Sequence, residues 1–203
     1  IIGNGTIAGL IDEDGQCVWL CLPRFDGEPV FNSLLGGRGE FSVHLMDKVS
    51  TTQRYIPNTA IIETIIEASD GSAVKVTDFA PRFMDRGRMF RPASMVRQIT
   101  PIKGMPRIRV DNVAQSQRGA RQMTTRRGVS HISYLDDESG FRMTTDAPVS
   151  YVMDGREFVL DREVSFILGP DESVSDRVGV MALDWLERTT DHWKDWSRRL
   201  ATP

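Results

Sequence analysis

The run Pro23-Arg24-Phe25-Asp26, followed by Gly27, Glu28 and Pro29, gathers in one short segment the side chains that hold polar rings. An arginine and a carboxylate can fork-bond neighbouring hydroxyls, and a phenylalanine ring can stack on a pyranose face. The flanking prolines mark a loop, and loops carry binding residues disproportionately. Arg24, Phe25 and Asp26 are therefore the candidate substrate-binding residues. A purely structural reading stands beside this one: Arg24 pairs with Asp26, and Phe25 plugs the end of the fold.

Other chemistry-bearing residues are less promising. Glu63 and Asp78 fall in strongly strand-like segments, where acidic side chains are ordinarily solvated or hydrogen-bonded. His44, His131 and His192 are scattered and lack the spacing of a metal or general-base set. Cys17 and Cys21 lie four apart in one predicted strand, roughly 13 Å between Cα atoms, whereas a disulfide needs less than about 7 Å. They are expected to be free thiols, which suits a reducing, cytoplasmic setting. Zinc would want Cys-x2-Cys spacing and further ligands, so no metal site is expected. Gly3-Asn4-Gly5 precedes a strand, the wrong context for a phosphate-cradling glycine loop, and no other cofactor motif stands out.

The 203 residues carry a net charge of −3, distributed unevenly. Residues 82–127 hold eleven arginines and Lys103 against Asp85 and Asp111 alone, a local balance of +10. Only Phe83 and Phe90 interleave these cations, so nucleic acid is not the expected partner. A solvated sheet face, or a surface for an acidic partner, fits better. No apolar run approaches the length of a membrane span, and no membrane role is expected.

The elements that must position these residues read as short strands. Period-2 alternation marks Thr6–Ile11, Gln16–Leu22, Glu40–Met46, Thr52–Ile56, Ala60–Ala68, Ala73–Phe79 and Ser94–Thr100. It continues through Arg107–Val113, Val129–Leu135, Gly140–Thr145, Val149–Met153, Glu157–Leu160 and Glu163–Leu168. Asp14-Gly15, Asp70-Gly71, Lys103-Gly104 and Asp154-Gly155 supply turns, and Gln115–Arg127 reads as a flexible loop. One long helix closes the chain, from about Gly179 to Leu200. Ala182, Leu186, Thr189, Trp193, Trp196 and Leu200 share one of its faces. Large apolar side chains cost about 1.5–3 kcal/mol each when left in water, so this stripe, with Trp185 beside it, must pack on something. Many short strands and one helix predict an all-β fold, a large antiparallel two-sheet super-β-sandwich.

Several ordered segments resemble the N-terminal domain of glycoside hydrolase family 15 proteins, the bacterial glucoamylase-like and trehalase-like enzymes. They are Ile2-Gly3-Asn4-Gly5-Thr6-Ile7-Ala8-Gly9-Leu10 and Val18-Trp19-Leu20-Cys21-Leu22-Pro23-Arg24-Phe25-Asp26. Arg54-Tyr55-Ile56-Pro57-Asn58-Thr59, Val76-Thr77-Asp78-Phe79-Ala80-Pro81 and Trp193-Lys194-Asp195-Trp196-Ser197 follow in order. The resemblance implies a super-β-sandwich over residues 1–175 and a linker helix over 176–203 leading to an absent (α/α)6 barrel. That barrel is the implied partner, and it carries the family's two catalytic glutamates. No residue of this chain inherits a catalytic role. The implied reaction of the whole polypeptide is inverting hydrolysis of an α-glucosidic bond, with one carboxylic acid and one carboxylate flanking it. The loop at Arg24 to Asp26 would then border the substrate cleft. Rival readings are a free-standing carbohydrate-binding module and a protein-interaction domain. The exposed helix face could also pair two copies into a homodimer.

Overall fold

A computed structural model describes residues 1–136 and 140–200 of the chain. The last three residues of the expected linker segment lie outside the described residues.

The strands build two large antiparallel sheets. The first runs, neighbour to neighbour, Ile2–Gly3, Ala8–Ile11, Cys17–Cys21, Glu40–Leu45, Arg107–Val113 and Phe158–Val159, with Pro29–Phe31 also paired to Cys17–Cys21. The second runs Thr124–Arg127, His131–Leu135, Gly140–Thr145, Val164–Pro170, Met95–Lys103, Ala73–Phe79, Ile62–Ala68 and Lys48–Tyr55. The predicted all-β sandwich is the observed architecture. The hairpin across Asp70-Gly71 pairs Ile62 with Asp78 and Glu67 with Ala73.

Alternation explains which face each strand buries. Val74, Val76, Met95 and Ile99 enter the core between the sheets with Phe41, Phe166 and Val110. Phe41 and Phe166 meet edge to face at 5.6 Å across the two layers. The opposite face of the second sheet is also covered. Phe79, Val96 and Ile167 pack there against Val178 and Ala182 of the helix Val178–Leu200. Ala73–Phe79 is thus buried almost throughout, because a sheet lies on one side of it and a helix on the other. Only the first half of the helical stripe finds this cover: Ala182 and Thr189 are buried, whereas Trp196 and Leu200 stay exposed.

Four sequence readings need correction. Val149–Met153 is a short α-helix, not a strand. Pro148 fixes its entry, its carbonyl accepts from the N–H groups of Tyr151 and Val152, and the buried pair Val149 and Val152 has helical spacing. The supposed flexible loop 115–127 contains a small hairpin, Gln115–Ser116 with Arg121–Gln122, and the edge strand Thr124–Arg127. That edge strand is exposed throughout and ends in two arginines, so it shows no apolar alternation. Met95–Lys103 continues through Pro101 by way of a bulge, where a missing N–H is tolerated. Phe83–Asp85 and Arg88–Phe90 form a further hairpin that three-residue strands could not announce.

Candidate functional site

The strand Cys17–Cys21 presents Leu20 to the core and leaves Trp19 half-buried at the rim. Beyond it the chain makes the loop expected from Pro23 to Glu28. Two backbone bonds fix this loop: the N–H of Phe25 donates to the Thr6 carbonyl at 3.1 Å, and that of Gly27 to the Arg24 carbonyl at 3.0 Å. The chain then returns as Pro29–Phe31, with Phe31 opposite Leu20. A one-turn 3-10 helix, Ser33–Leu35, follows and stops at Gly36, whose φ of 82° is left-handed.

A second wall comes from residues 117–119. Gln117, Arg118 and Gly119 have φ values of 50°, 54° and 91°. Two consecutive non-glycine residues in the left-handed region carry backbone strain, which clusters at ligand-binding segments. Asn32 locks this wall to the loop. A Cβ on Gly37 would lie 2.0 Å from Asn32 Oδ1, and one on Gly119 would lie 2.2 Å from Asn32 Nδ2, so a side chain at either position would displace the Asn32 amide. Asn32 Oδ1 accepts from the Gly39 N–H at 3.0 Å, while its Nδ2 has no partner among the described residues.

Between these walls lies an open cleft of about 700 Å³, lined by Trp19, Asp26, Glu28, Asn32, Leu35 and Arg118 together with loop glycines. That volume suits a small-molecule site. Its polar groups are largely paired. Arg24 donates to both oxygens of Asp26, Nε at 2.9 Å and Nη2 at 2.7 Å, and Arg118 lies 3.9 Å from Glu28. The Arg24 hydrogen bonds hold the Asp26 carboxyl below its ordinary value, so it is an anion at neutral pH and a poor general acid. The cleft thus offers one indole face, two carboxylates, a guanidinium and a free amide donor. Such a set binds and orients hydroxyls.

Residues 1–121 match the model of the trehalase-like N-terminal domain. This chain belongs to that family. The trehalase-like domain is 41% identical to Trehalase 1 of Sulfolobus acidocaldarius over 83 residues, 39% of this chain and 14% of that protein. No solved structure matches the chain. Every residue lining the cleft of this trehalase-like domain falls within the span that carries the family match.

Of the three residues singled out in the sequence, Asp26 lines the cleft, and Arg24 is bound to it as its ion-pair partner. Phe25 is 61% exposed, so it does not plug the end of the sandwich. Trp19, Asn32 and Arg118 escaped the sequence reading, and Glu28 entered it only as a member of the loop. Trp19 looked like an ordinary strand residue, and Arg118 lay in the stretch read as a flexible loop. Gly36-Gly37 and Gly119 were the available signal, because glycines crowded around an asparagine imply close backbone approach.

The other candidates are structural. Glu63 pairs with Arg54 at 2.9 Å and Lys75 at 3.2 Å on the sheet surface. Asp78 is wholly buried against Arg97. His44 contacts Ser42 and Asp111. Trp185 packs on Phe90 at 5.3 Å. The basic stretch is partly neutralised from outside itself, by Glu157 on Arg107 and Asp78 on Arg97.

Proposed function

We propose that this trehalase-like domain is the non-catalytic amino-terminal β-sandwich of a family 15 glycoside hydrolase, a trehalase- or glucoamylase-type enzyme. The complete polypeptide hydrolyses an α-glucosidic bond with inversion in an (α/α)6 barrel. This domain braces that barrel and borders its substrate cleft. The chain spans 14% of the length of the curated relative it matches, so there is ample sequence in such proteins for a separate catalytic unit. The observation that carries the reading is the cleft beside Trp19, with its hydroxyl-binding groups and its ionised, arginine-bound Asp26. Inverting hydrolysis requires a carboxyl kept protonated near neutral pH, and Asp26 is held the other way. Asp78 does have its pKa raised by burial, but it is sealed in the core and reaches no substrate.

The overhanging end of the helix, with Trp196 and Leu200 exposed, supports a contact with the barrel; a second copy of the domain is the other occupant that suits it. The two free, buried thiols support a cytoplasmic setting. The test is Trp19→Ala and Arg118→Ala in the complete polypeptide, assayed on trehalose and maltose. A raised KM with little change in kcat supports a bordering role, and unchanged KM in both variants contradicts it.

A further inference from the structure

The small hairpin of Gln115–Ser116 and Arg121–Gln122 meets strand ends from both sheets. Its tip, Arg118 and Gly119, lines the Trp19 cleft. Its base lines a second cavity, of about 370 Å³. The base is closed by the Met123 N–H, which donates to the Ala114 carbonyl at 3.0 Å. Met123 forms one apolar wall of this cavity. Val30 adds to the wall from the first sheet, and Leu22 from just past Cys17–Cys21. Phe141 and Pro170, paired across neighbouring strands, come from the second sheet. Among the described residues, the cleft and the second cavity share Gly27 and Glu28 alone.

Gln115 gives this cavity its polar group. The residue is 5% exposed, its backbone pairs with Gln122, and its side-chain amide has no partner among the described residues. A buried amide holds two donors and an acceptor, and folds seldom leave such a group unpaired. The Gln115 stem packs over Gly39, where a Cβ would lie 2.9 Å from Gln115 Cγ and 3.0 Å from Asn32 Oδ1. One glycine therefore seats Asn32 for the cleft and Gln115 for the second cavity. Glu28, Asp136 and Asp171 stand on the same lining. Arginines outside the lining compensate all three: Arg142 bonds Asp171 at 2.7 Å, Arg118 lies 3.9 Å from Glu28, and Arg121 lies 4.0 Å from Asp136.

We infer that the cavity at Gln115 is a second sugar site, which takes one neutral hexose ring, either free or as one unit of a disaccharide. Its volume lies at the small end of the range for small-molecule sites. An anion finds no lysine or arginine on the lining among the described residues, and a cation finds carboxylates that arginines already balance. A neutral ligand with an apolar face and several hydroxyls meets both conditions. The Phe141 ring, stacked on Tyr134 at 4.8 Å, and the Met123 side chain suit the C–H face of a pyranose. The Gln115 amide and the spare carboxylate lone pairs suit its hydroxyls. Neither Trp19 nor Asp26 takes part, so the inference stands apart from the sugar reading of the cleft.

The test is titration of the chain with D-glucose and, separately, with trehalose, followed in nitrogen–proton correlation spectra that show the Gln115 side-chain amide directly. Saturable shifts of that amide and of the Ser116 and Gly140 N–H groups are expected with glucose. Gln115→Met keeps the length of the side chain and removes its polar atoms, so the Ser116 and Gly140 shifts should report affinity weakened about fivefold or more. Ala93→Leu fills the cavity from another segment and should abolish the response, which keeps the test decisive if Gln115→Met lowers the thermal midpoint. Trp19→Ala should leave the Gln115 response unchanged. Trehalose separates the two sources: tighter binding than glucose assigns one ring of a disaccharide, and equal or weaker binding assigns the free hexose. Shifts confined to the Trp19 indole and the Arg118 N–H overturn this inference and leave the cleft reading standing. Absence of any saturable shift at Gln115, or equal affinity in both cavity variants, also overturns it.

Discussion

Arg97 donates to both oxygens of Asp78, at 2.7 and 3.0 Å, in a part of the core where both side chains are fully shielded from solvent. The two belong to neighbouring strands of the second sheet, yet the guanidinium also crosses to the first, bonding the carbonyls of Phe41 at 2.5 Å and Gly15 at 2.8 Å. Its face lies 4.4 Å from the Phe41 ring. One side chain from the basic stretch thus ties the two layers of the sandwich together. Removing one member of such a pair leaves a buried charge uncompensated. Arg97→Met should cost about 3–5 kcal/mol, and the double variant with Asp78→Ala should cost less than the sum of the single ones. Urea unfolding of the three variants measures both quantities.

Glu63 carries a pH dependence of definite sign. Burial would raise its pKa, but Arg54 and Lys75 together hold it below the ordinary value. A depressed carboxylate pKa adds stability above the unfolded-state value, and that stability is lost as pH falls through the folded one. Glu63→Gln should therefore destabilise the domain by roughly 0.5–1 kcal/mol at pH 7, discounted for its exposed partners, with the difference fading below about pH 4. Thermal midpoints of both proteins from pH 7 to pH 3 check it.

Burial pushes the Cys17 thiol up to about 12 and raises that of Cys21 as well. The thiolate is the reactive form. Neither cysteine should react with iodoacetamide at pH 7.5 in the folded chain, and both should react in concentrated guanidinium. Mass spectrometry of the labelled protein gives the answer directly.

Gly119 meets two constraints at once, a positive φ and the contact with Asn32. Gly119→Ala should cost about 1–3 kcal/mol by forcing backbone strain or displacing the Asn32 amide. Gly36→Ala shares the positive φ but has open space around it, so it should cost less. Comparing their unfolding midpoints separates cleft packing from turn geometry.

Much of this architecture was legible because its strongest strands obey simple alternation. Ile62–Ala68 and Ala73–Phe79 are β-branched, well punctuated and central, so pattern and packing agree. The edges were harder. Thr124–Arg127 buries nothing, and Val149–Met153 has apolar residues that satisfy either period until Pro148 and packing decide. The cleft was only partly legible for a related reason. Asp26 sits in a loop rich in turn residues, whereas Arg118 comes from a segment some ninety residues away, brought opposite by the packing of Asn32 between two glycines. Arg97 hid among eleven neighbouring arginines and lysine, because its burial depends on Asp78 from another strand and on carbonyls from another sheet.

The central claim is that this domain shapes a substrate cleft without cleaving the bond. Glucose release from trehalose and from maltose by the purified 203-residue chain tests it most directly. The account predicts no release above the enzyme-free blank for either disaccharide. Sustained turnover that disappears in Asp26→Asn or Glu28→Gln would contradict it.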